Sequence, residues 1–348
     1  MSMQSSSMQP PTRIAVIGAG YFARFQIEAW QRLPEAELLA VCDLQPANEA
    51  VVRQLAPTAR FYQNADRMLD EISPDVVDIA TPPATHQTLV QLCAQRGLAA
   101  ITQKPLAPTY AEAVALVEAA EQAGITLAVH ENFRFQPWYQ EAHRLLTQGQ
   151  LGRLHSISMR LRPGDGQGER AYLDRQPYFQ GMERFLIHET AIHLIDTFRF
   201  LCGEVSGVMA RLRRLNPVIA GEDVGTVIFD FTGGAYGVFD GNRLNEHPAD
   251  NTRLTMGDVW LEGEGGVLRL DGFGRLWFKP HGEPERAHDY SWSTQGFAGD
   301  SVYATQAHLL AHFRSGAPCQ TLARDYLRNV AIEEAIYRSA SENRWLSV

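Results

Sequence analysis

An acid, a histidine and a second acid recur at helical spacing in the middle of the chain. Glu189, His193 and Asp196 stand at positions i, i+4 and i+7, so in one α-helix they would share a face. A carboxylate beside an imidazole can orient it and tune it for proton transfer near neutral pH. A zinc motif of the H-E-x-x-H type is excluded, because His188 and His193 would point about 140° away from each other on a helix. The spacing predicts a proton-transfer site without a metal, with the polar face of a helix at an ordinary cleft as the alternative.

Lys104 is a second candidate for chemistry. It follows a predicted buried strand and precedes Pro105, which fixes the backbone. In open α/β folds, ligands bind at the carboxyl edge of the sheet. An ammonium group there can donate to a substrate hydroxyl and stabilise alkoxide character as hydride leaves. The alternative is a solvated surface lysine, against which stands the absence of charged residues next to it in the sequence.

A glycine-rich turn follows the apolar run 13–17. It reads G-A-G-Y-F-A from Gly18 to Ala23 and precedes a helical pattern, and Asp43 ends the next apolar run. This order is typical of a dinucleotide-binding unit, in which the glycines allow a tight turn and the close approach of a pyrophosphate. Asp43 would accept hydrogen bonds from a ribose and repel a 2′-phosphate, so NAD is favoured, while Arg24 leaves NADP open. A glycine-rich turn that binds nothing is the alternative.

Two patterns of apolar and polar residues along the sequence predict the helices and strands that must position these residues. From residue 13 to about residue 130, short apolar runs alternate with amphipathic stretches, which predicts a doubly wound α/β domain with a parallel sheet. After Gly152 the runs are longer and alternate with polar residues, which predicts a large open antiparallel sheet. One helix, from about Arg184 to Leu201, would carry the histidine. The predicted fold is thus an N-terminal Rossmann domain followed by an antiparallel-sheet domain. The predicted bounds are 1–11 for a disordered lead, 12–135 for the dinucleotide-binding domain and 136–320 for the substrate and oligomerisation domain. A closing helix and tail at 321–348 are expected to pack back toward the first domain.

The composition bounds the kind of protein. The 348 residues include 31 Lys and Arg against 40 Asp and Glu, and this acidic balance without a basic cluster argues against nucleic acid as a partner. Hydrophobic residues make up 45% and charged residues 20%, as in ordinary globular proteins. The four cysteines lie far apart and no apolar run approaches the ~18 residues of a membrane span, so the sequence predicts a cytoplasmic protein with no membrane association.

Three further segments, in a fixed order, carry a resemblance to a known family. They are T-P-P-A-T-H from Thr81 to His86, Q-K-P from Gln103 to Pro105, and E-T-A-I-H-L-I-D from Glu189 to Asp196. With the closing helical run 331–339, they resemble the Gfo/Idh/MocA oxidoreductases, the family of glucose-fructose oxidoreductase and inositol dehydrogenase. Gln103 and Glu189 replace the glutamate and the aspartate that are usual in the family. With the run 129–134, the Q-K-P segment resembles bacterial sugar dehydrogenases of the family, including those that act on the branched pentose apiose.

The resemblance implies NAD-dependent oxidation of a hydroxyl of a sugar or polyol, of the aldose or inositol type, with hydride transfer to the nicotinamide. It implies Lys104, His193 and Glu189 as catalytic residues, with either Lys104 or His193 taking the proton and Glu189 orienting the histidine. Strand alternation would place Asn132 and Arg134 on one side, Asn132 as a ligand contact and Arg134 as a ligand contact or a structural tie. The cofactor contacts expected from the glycine turn and the resemblance are Gly18, Ala19, Gly20, Tyr21, Phe22, Asp43, Thr81, Pro82, His86, Gln103, Lys104 and Asn132. The implied substrate contacts are Lys104, Asn132, Arg134, Glu189 and His193.

Two other functions remain open at this point. Some enzymes of the family hold NAD tightly and use it in cycles that end in hydrolysis or elimination of a glycoside, and a non-catalytic member binds NAD as a sensor. Loss of the lysine or the histidine would favour a sensor, and this chain retains both Lys104 and His193. The resemblance also implies a homodimer or homotetramer formed through the antiparallel sheet.

Overall fold

The computed structural model describes residues 9–348, so the first eight positions of the predicted lead, 1–11, lie outside the described residues. Residues 9–11 are exposed and belong to no helix or strand. The described residues form two compact units, the first made of residues 9–130 and 305–323 and the second of residues 131–304 and 324–348.

The first unit is built on a parallel sheet of six strands in the order β3-β2-β1-β4-β5-β6. Because helices cover both faces of such a sheet, its central strands are apolar and buried along their length, which confirms the predicted Rossmann arrangement. The strands are β1 (Thr12–Ile17), β2 (Ala36–Cys42), β3 (Arg60–Tyr62), β4 (Val76–Ile79), β5 (Ala99–Gln103) and β6 (Leu127–His130). The helices between them are α1 (Ala23–Arg32), α2 (Asn48–Leu55), α3 (Ala65–Ile72), a short 3-10 helix (Pro83–Thr85), α4 (His86–Ala94) and α5 (Tyr110–Gln122).

The second unit is built on a sheet of nine strands in the order β14-β13-β12-β11-β7-β10-β9-β8-β15. Its pairings are antiparallel except that β10 runs parallel to β7, so the predicted antiparallel sheet is confirmed with one parallel pair. The strands are β7 (Leu154–Leu161), β8 (Val205–Arg213), β9 (Val224–Phe231), β10 (Tyr236–Asn242), β11 (Gly257–Gly263), β12 (Gly266–Leu270), β13 (Leu276–Pro280), β14 (Arg286–Ala287) and β15 (Leu346–Ser347). The remaining helical segments are α6 (Pro137–Thr147), a 3-10 helix (Pro177–Gly181), a π-helix (Leu186–Ala191), α7 (Ile192–Cys202), α8 (Ser301–Ser315) and α9 (Ala323–Glu342).

Helices cover one face of the nine-stranded sheet. The ring of Phe198 in α7 lies 5.6 Å from that of Phe229 in β9. Trp138 and Tyr139 of α6 line a narrow cavity together with Leu261 of β11. Alternate residues of the same strands face away from these helices, because side chains along a strand point to opposite sides.

Local sequence fixes the starts of two helices that follow candidate segments. Helix α5 starts after Thr109, whose Oγ1 accepts a hydrogen bond from the backbone N–H of Glu112 at 3.2 Å. Helix α6 starts at Pro137, where the N–H that proline lacks is not needed. The lysine loop and the segment after β6 each precede one of these helices. No helix among residues 9–348 is long and apolar enough to span a membrane.

Candidate active site

The glycine turn after β1 has the conformation that a dinucleotide phosphate needs. Gly18 has a φ of +107°, and a Cβ there would lie 2.6 Å from the carbonyl oxygen of Ala80, so only glycine fits. A Cβ at Gly20 would meet no atom within 4 Å, which leaves the space in front of the turn open. The half-buried Tyr21 and Phe22 complete the turn before the N-terminus of α1, an end of a helix that favours anions.

Asp43 follows β2 and is tied to the same turn. Its Oδ2 accepts a hydrogen bond from the backbone N–H of Ala19 at 2.7 Å, and its Oδ1 accepts one from Gln45 at 2.8 Å. A carboxylate oxygen can accept more than one hydrogen bond, so both oxygens can still receive ribose hydroxyls. The glycine turn and this carboxylate therefore fit the dinucleotide NAD.

His86 connects two loops of the first unit. It is fully buried at the start of α4, with one ring nitrogen 2.9 Å from the carbonyl oxygen of Thr81 and the other 3.0 Å from that of Leu106. Burial lowers the pKa of His86, and the hydrogen bonds to the two carbonyl oxygens counteract part of this effect. The ring thus lies between the loops after β4 and β5, and a cofactor contact at His86 stays a prediction. Thr81 is half-buried and Pro82 is exposed beside it.

The loop that carries Lys104 is anchored through Gln103. The Gln103 Oε1 accepts a hydrogen bond from the backbone N–H of Lys104 at 2.8 Å, and its Nε2 lies 3.5 Å from Oε1 of Gln26 in α1. A glutamate could accept the first hydrogen bond but could not donate the second, which gives a physical reason for the glutamine. Gln26 in turn donates to Asp78 in β4 at 3.0 Å. The half-buried Lys104 precedes a cis peptide bond to Pro105.

In the second unit, the segment predicted as one helix has two parts. The residues Leu186–Ala191 are π-helical, and α7 continues from Ile192. A π turn contains an extra residue, so side chains spaced for one α-helical face need not share partners. Glu189, predicted to orient the histidine, accepts a hydrogen bond from Thr190 Oγ1 at 2.8 Å, and its Oε2 lies 3.6 Å from Arg243 Nη1.

Arg243 is a buried cation beside Glu189. Its side chain is 2% exposed and binds Asp165 through two nitrogens, at 3.1 and 2.8 Å. Burial alone would raise the pKa of Asp165, but the charges and hydrogen bonds of Arg243 and Arg175 together outweigh it and lower that pKa. Glu189 is therefore held beside a fixed positive charge.

The partner of His193 is Glu131. The Nδ1 of His193 lies 2.6 Å from Oε1 of Glu131, and its ring stacks on that of Phe133 with centroids 4.0 Å apart and planes 9° apart. An ionised carboxylate at Glu131 would only accept hydrogen bonds, so it would take an Nδ1–H of His193 and leave Nε2 as the nitrogen that can accept a proton.

Arg134 forms a structural tie within the second unit. Its Nε and Nη2 donate to the two carboxylate oxygens of Asp196, each at 2.6 Å, and Asn329 donates to the same carboxylate at 2.7 Å. Burial would lower the pKa of Arg134, but the charge and hydrogen bonds of Asp196 together with the charges of Glu131 and Tyr326 outweigh it and raise that pKa. Of the two roles left open for Arg134, this geometry favours the tie.

Asn132 is buried, 1% exposed, and its Nδ2 donates to Ser301 Oγ at 2.9 Å. Strand β6 ends at His130, so residues 131–136 leave the strand. The predicted alternation of side chains therefore does not extend to Asn132 and Arg134.

Three buried polar residues of this site were not predicted: Glu131, Arg243 and Tyr326. The Tyr326 hydroxyl donates to Oε2 of Glu131 at 3.0 Å. Their partners lie far along the chain, 62 positions away for Glu131 and His193 and 195 for Glu131 and Tyr326, so no local pattern identifies them. The place of Glu131 beside Asn132 is the signal that could have drawn attention to it.

Two family models match the chain. One, described as an oxidoreductase family with an NAD-binding Rossmann fold, matches residues 12–131. The other, described as the GFO/IDH/MocA C-terminal domain, matches residues 139–268.

Similar proteins extend over almost the whole chain. A D-apiose dehydrogenase of Paraburkholderia graminis is 36% identical over 95% of this chain and 88% of its own length. A D-apiose dehydrogenase of Rhizobium rhizogenes is 33% identical over 96% of each chain. The crystal structure of an oxidoreductase from Agrobacterium radiobacter in complex with NAD+, L-tartaric acid and magnesium is 31% identical, with a TM-score of 0.87 over 97% of this chain and 98% of that one.

Proposed function

The chain belongs to the Gfo/Idh/MocA family of oxidoreductases with an NAD-binding Rossmann fold, and we propose that this NAD-dependent sugar or polyol dehydrogenase acts on D-apiose. Family membership confirms the predicted enzyme class and the predicted cofactor. The observation that carries the proposed substrate is the likeness, over nearly the full length, to two D-apiose dehydrogenases.

NAD, when bound, supplies the carbon that accepts the hydride. In the proposed reaction, Lys104 donates a hydrogen bond to the reacting hydroxyl and stabilises the negative charge that develops on its oxygen. His193 accepts the hydroxyl proton at Nε2 as the C–H bond breaks and its electron pair leaves as hydride, so that a carbonyl forms. Glu189, fixed beside Arg243, is proposed to bind a substrate hydroxyl.

The choice of lysine at position 104 supports this role. Among the 31 lysines and arginines of the chain, Lys279 is the only other lysine. A lysine presents a compact ammonium group on a flexible stem, whereas an arginine presents a planar fork of donors, so a lysine suits a single reacting oxygen.

We further propose that the protein works in the cytoplasm as a homodimer or homotetramer. The four cysteines all lie among the described residues and are free thiols, as suits a reducing compartment. Exposed apolar side chains on the nine-stranded sheet support association through that sheet.

The test is the formation of NADH by purified protein with NAD and a panel of D-apiose, other aldoses and inositols. We expect turnover of D-apiose, and a loss of at least about 100-fold in kcat/KM in Lys104→Ala. The matched control is Lys279→Ala, which removes the exposed lysine of β13 and should leave kcat/KM within about twofold. Bound NAD that survives purification, with turnover of a glycoside and no net NADH, would favour redox-cycled hydrolysis or elimination instead.

A further inference from the structure

Glu131 and His193 form a buried carboxylate–imidazole pair that the motifs of the sequence do not mark. Glu131 is 0% exposed, and its Oε1 lies 2.6 Å from Nδ1 of His193. We propose that Glu131 is the positioning residue of His193, keeping Nδ1 protonated so that Nε2 is the nitrogen that exchanges a proton. This inference rests on the proposed function of His193 as the proton acceptor.

The Glu131 carboxylate is held from three sides. Its Oε1 also accepts the backbone N–H of Phe133 at 3.0 Å, and its Oε2 accepts the hydroxyl of Tyr326 at 3.0 Å. Burial raises the pKa of Tyr326 well above its usual value, and the negative charge of Glu131 adds to this, so the phenol remains a donor. With these donors fixed, the carboxylate can turn neither away from His193 nor toward another partner.

The His193 ring is fixed as firmly as the carboxylate. Its stacking on Phe133 sets the plane of the ring, and the bond to Glu131 sets the direction of Nδ1 within that plane. A proton taken up at Nε2 would give an imidazolium next to a desolvated carboxylate, where the attraction between the charges is far stronger than in water. Glu131 therefore both selects the tautomer and stabilises the protonated product of the step.

The charged and titratable groups around this pair are few among the described residues that pack there. Arg134 and Tyr326 each interact electrostatically with Glu131, with Asp196 and with each other, and Arg134 is bound by Asp196. Glu333 of α9 adds a further negative charge near Tyr326. Asp196 pairs with Arg134, whereas Glu131 forms a hydrogen bond with His193 directly. Glu131 is therefore the acid that acts on His193.

The chain offers a matched control pair. His188 Nδ1 lies 2.6 Å from Oε1 of Glu333, a carboxylate that is 2% exposed in the same unit. Glu131→Gln and Glu333→Gln therefore make the same chemical change in two buried carboxylate–histidine pairs. A merely structural role of Glu131 predicts similar effects of both changes on stability and on kcat.

The first experiment measures turnover against pH. We expect Glu131→Gln to lower kcat at least about 100-fold at neutral pH and to move the acidic limb of kcat/KM to lower pH, because the amide does not stabilise the imidazolium. Glu333→Gln should change kcat less than about threefold. Tyr326→Phe, which keeps the ring and removes one donor to Glu131, leaves a more basic carboxylate and should move the acidic limb to higher pH. The proposal would be overturned if the acidic limb of kcat/KM lay at the same pH in the variants as in the wild type. It would also be overturned if the limb moved in the same direction in Glu131→Gln and Tyr326→Phe.

The second experiment does not depend on turnover. Imidazole ¹⁵N spectra of the whole protein, with His193→Ala to assign the signals, report the tautomer of His193. We expect the Nδ1–H form in the wild type and in Glu333→Leu, and its loss in Glu131→Leu, because leucine offers Nδ1–H no acceptor, whereas the Oε1 of a glutamine would still accept it. An unchanged tautomer in Glu131→Leu would refute the positioning role. Absence of sugar turnover in the wild type together with the expected tautomers would refute the proposed function and leave the positioning of His193 by Glu131 supported.

Discussion

At the scale of single residues, we propose that Asp43 sets the choice between the two nicotinamide cofactors. Its carboxylate is fixed by Ala19 and Gln45 beside the glycine turn, where a 2′-phosphate would meet a like charge. We expect Asp43→Asn to lower the preference for NAD over NADP at least about tenfold, because the amide keeps the size of the side chain and removes the repulsion. The measurement is kcat/KM for each cofactor.

The matched control for Asp43 is Glu37→Gln, which removes an exposed acid from β2, the strand that Asp43 follows. It should leave the ratio of the two kcat/KM values within about twofold, because a distant exposed charge is screened by salt. An Asp43→Asn enzyme with the ratio of the wild type would contradict the assignment of Asp43 to the ribose.

A functional residue could be predicted from the sequence only where residues near it in the chain mark its role. Asp43 and Lys104 could be found because a glycine turn or a proline next to a strand marks them. Glu131 could not, because its role depends on His193, 62 positions away, and on the end of β6 at His130. A strand that continued past residue 130 would have placed Glu131 on the side opposite to Asn132 and Arg134. In the structure, Glu131 is the residue that binds His193.

At the scale of elements, the helix that carries the histidine shows the limit of spacing arguments. The positions 189, 193 and 196 predict one face of an α-helix, and the segment does contain the helix α7. The π-helical segment before it gives Glu189 contacts with Thr190 and Arg243, while Asp196 binds Arg134. A π turn depends on tertiary contacts, so the spacing of polar residues does not reveal it.

Three elements of the first unit meet at the buried carboxylate of Asp78. It lies in β4 and accepts hydrogen bonds from Trp30 at 2.8 Å and Gln26 at 3.0 Å in α1, and from Gln306 in α8. Burial raises the pKa of Asp78 to about 7, and these donors counteract only part of that effect. The folded protein therefore holds a proton on Asp78 at pH values where the unfolded chain has released it.

This difference makes the stability of the protein depend on pH through Asp78. The contribution of the raised pKa is fully present below about pH 4, the range of an unfolded aspartate, and is lost as the pH rises to about 7. We expect the free energy of unfolding of the wild type, relative to Asp78→Asn, to fall by about 4 kcal/mol between pH 4 and pH 8. Urea unfolding of both variants at several pH values measures this difference. The exposed Asp75→Asn serves as the control and should show a much smaller change, and a flat difference for Asp78→Asn would contradict the argument.

At the scale of the whole molecule, the two sheets were predictable and some of their connections were not. Apolar runs and alternating runs indicate a parallel and an antiparallel sheet because burial on both faces or on one face imposes these patterns. The parallel pair of β7 and β10 leaves no such pattern, since both strands alternate like their antiparallel neighbours. The return of residues 305–323 to the first unit, where Leu322 pairs with Ala128, likewise depends on contacts between distant parts of the chain.

The face of the nine-stranded sheet that α6 and α7 leave uncovered carries a largely apolar row. The strand registers place one outward side chain of each of seven strands side by side, namely Met209, Ile228, Val238, Ser158, Trp260, Arg269 and Trp277. Ile228 and Trp260 are each 41% exposed, and the Arg269 guanidinium lies 5.5 Å from the Trp260 ring and 5.4 Å from the Trp277 ring. A contiguous apolar surface of this kind is typical of an interface between proteins.

Substitutions in this row test the proposed homo-oligomer. We expect light scattering after size-exclusion chromatography to give the mass of a dimer or tetramer for the wild type and of a smaller species for the double variant Ile228→Glu and Trp260→Glu. Two carboxylates of each copy would have to lose their hydration at the interface, which costs several kcal/mol for each ion, on the order of the penalty for burying an unpaired charge. The control Leu215→Glu changes a side chain that is 52% exposed and lies outside the sheet, and it should leave the mass unchanged. A monomeric wild type, or a double variant with the mass of the wild type, would show that copies of the chain do not associate through this face.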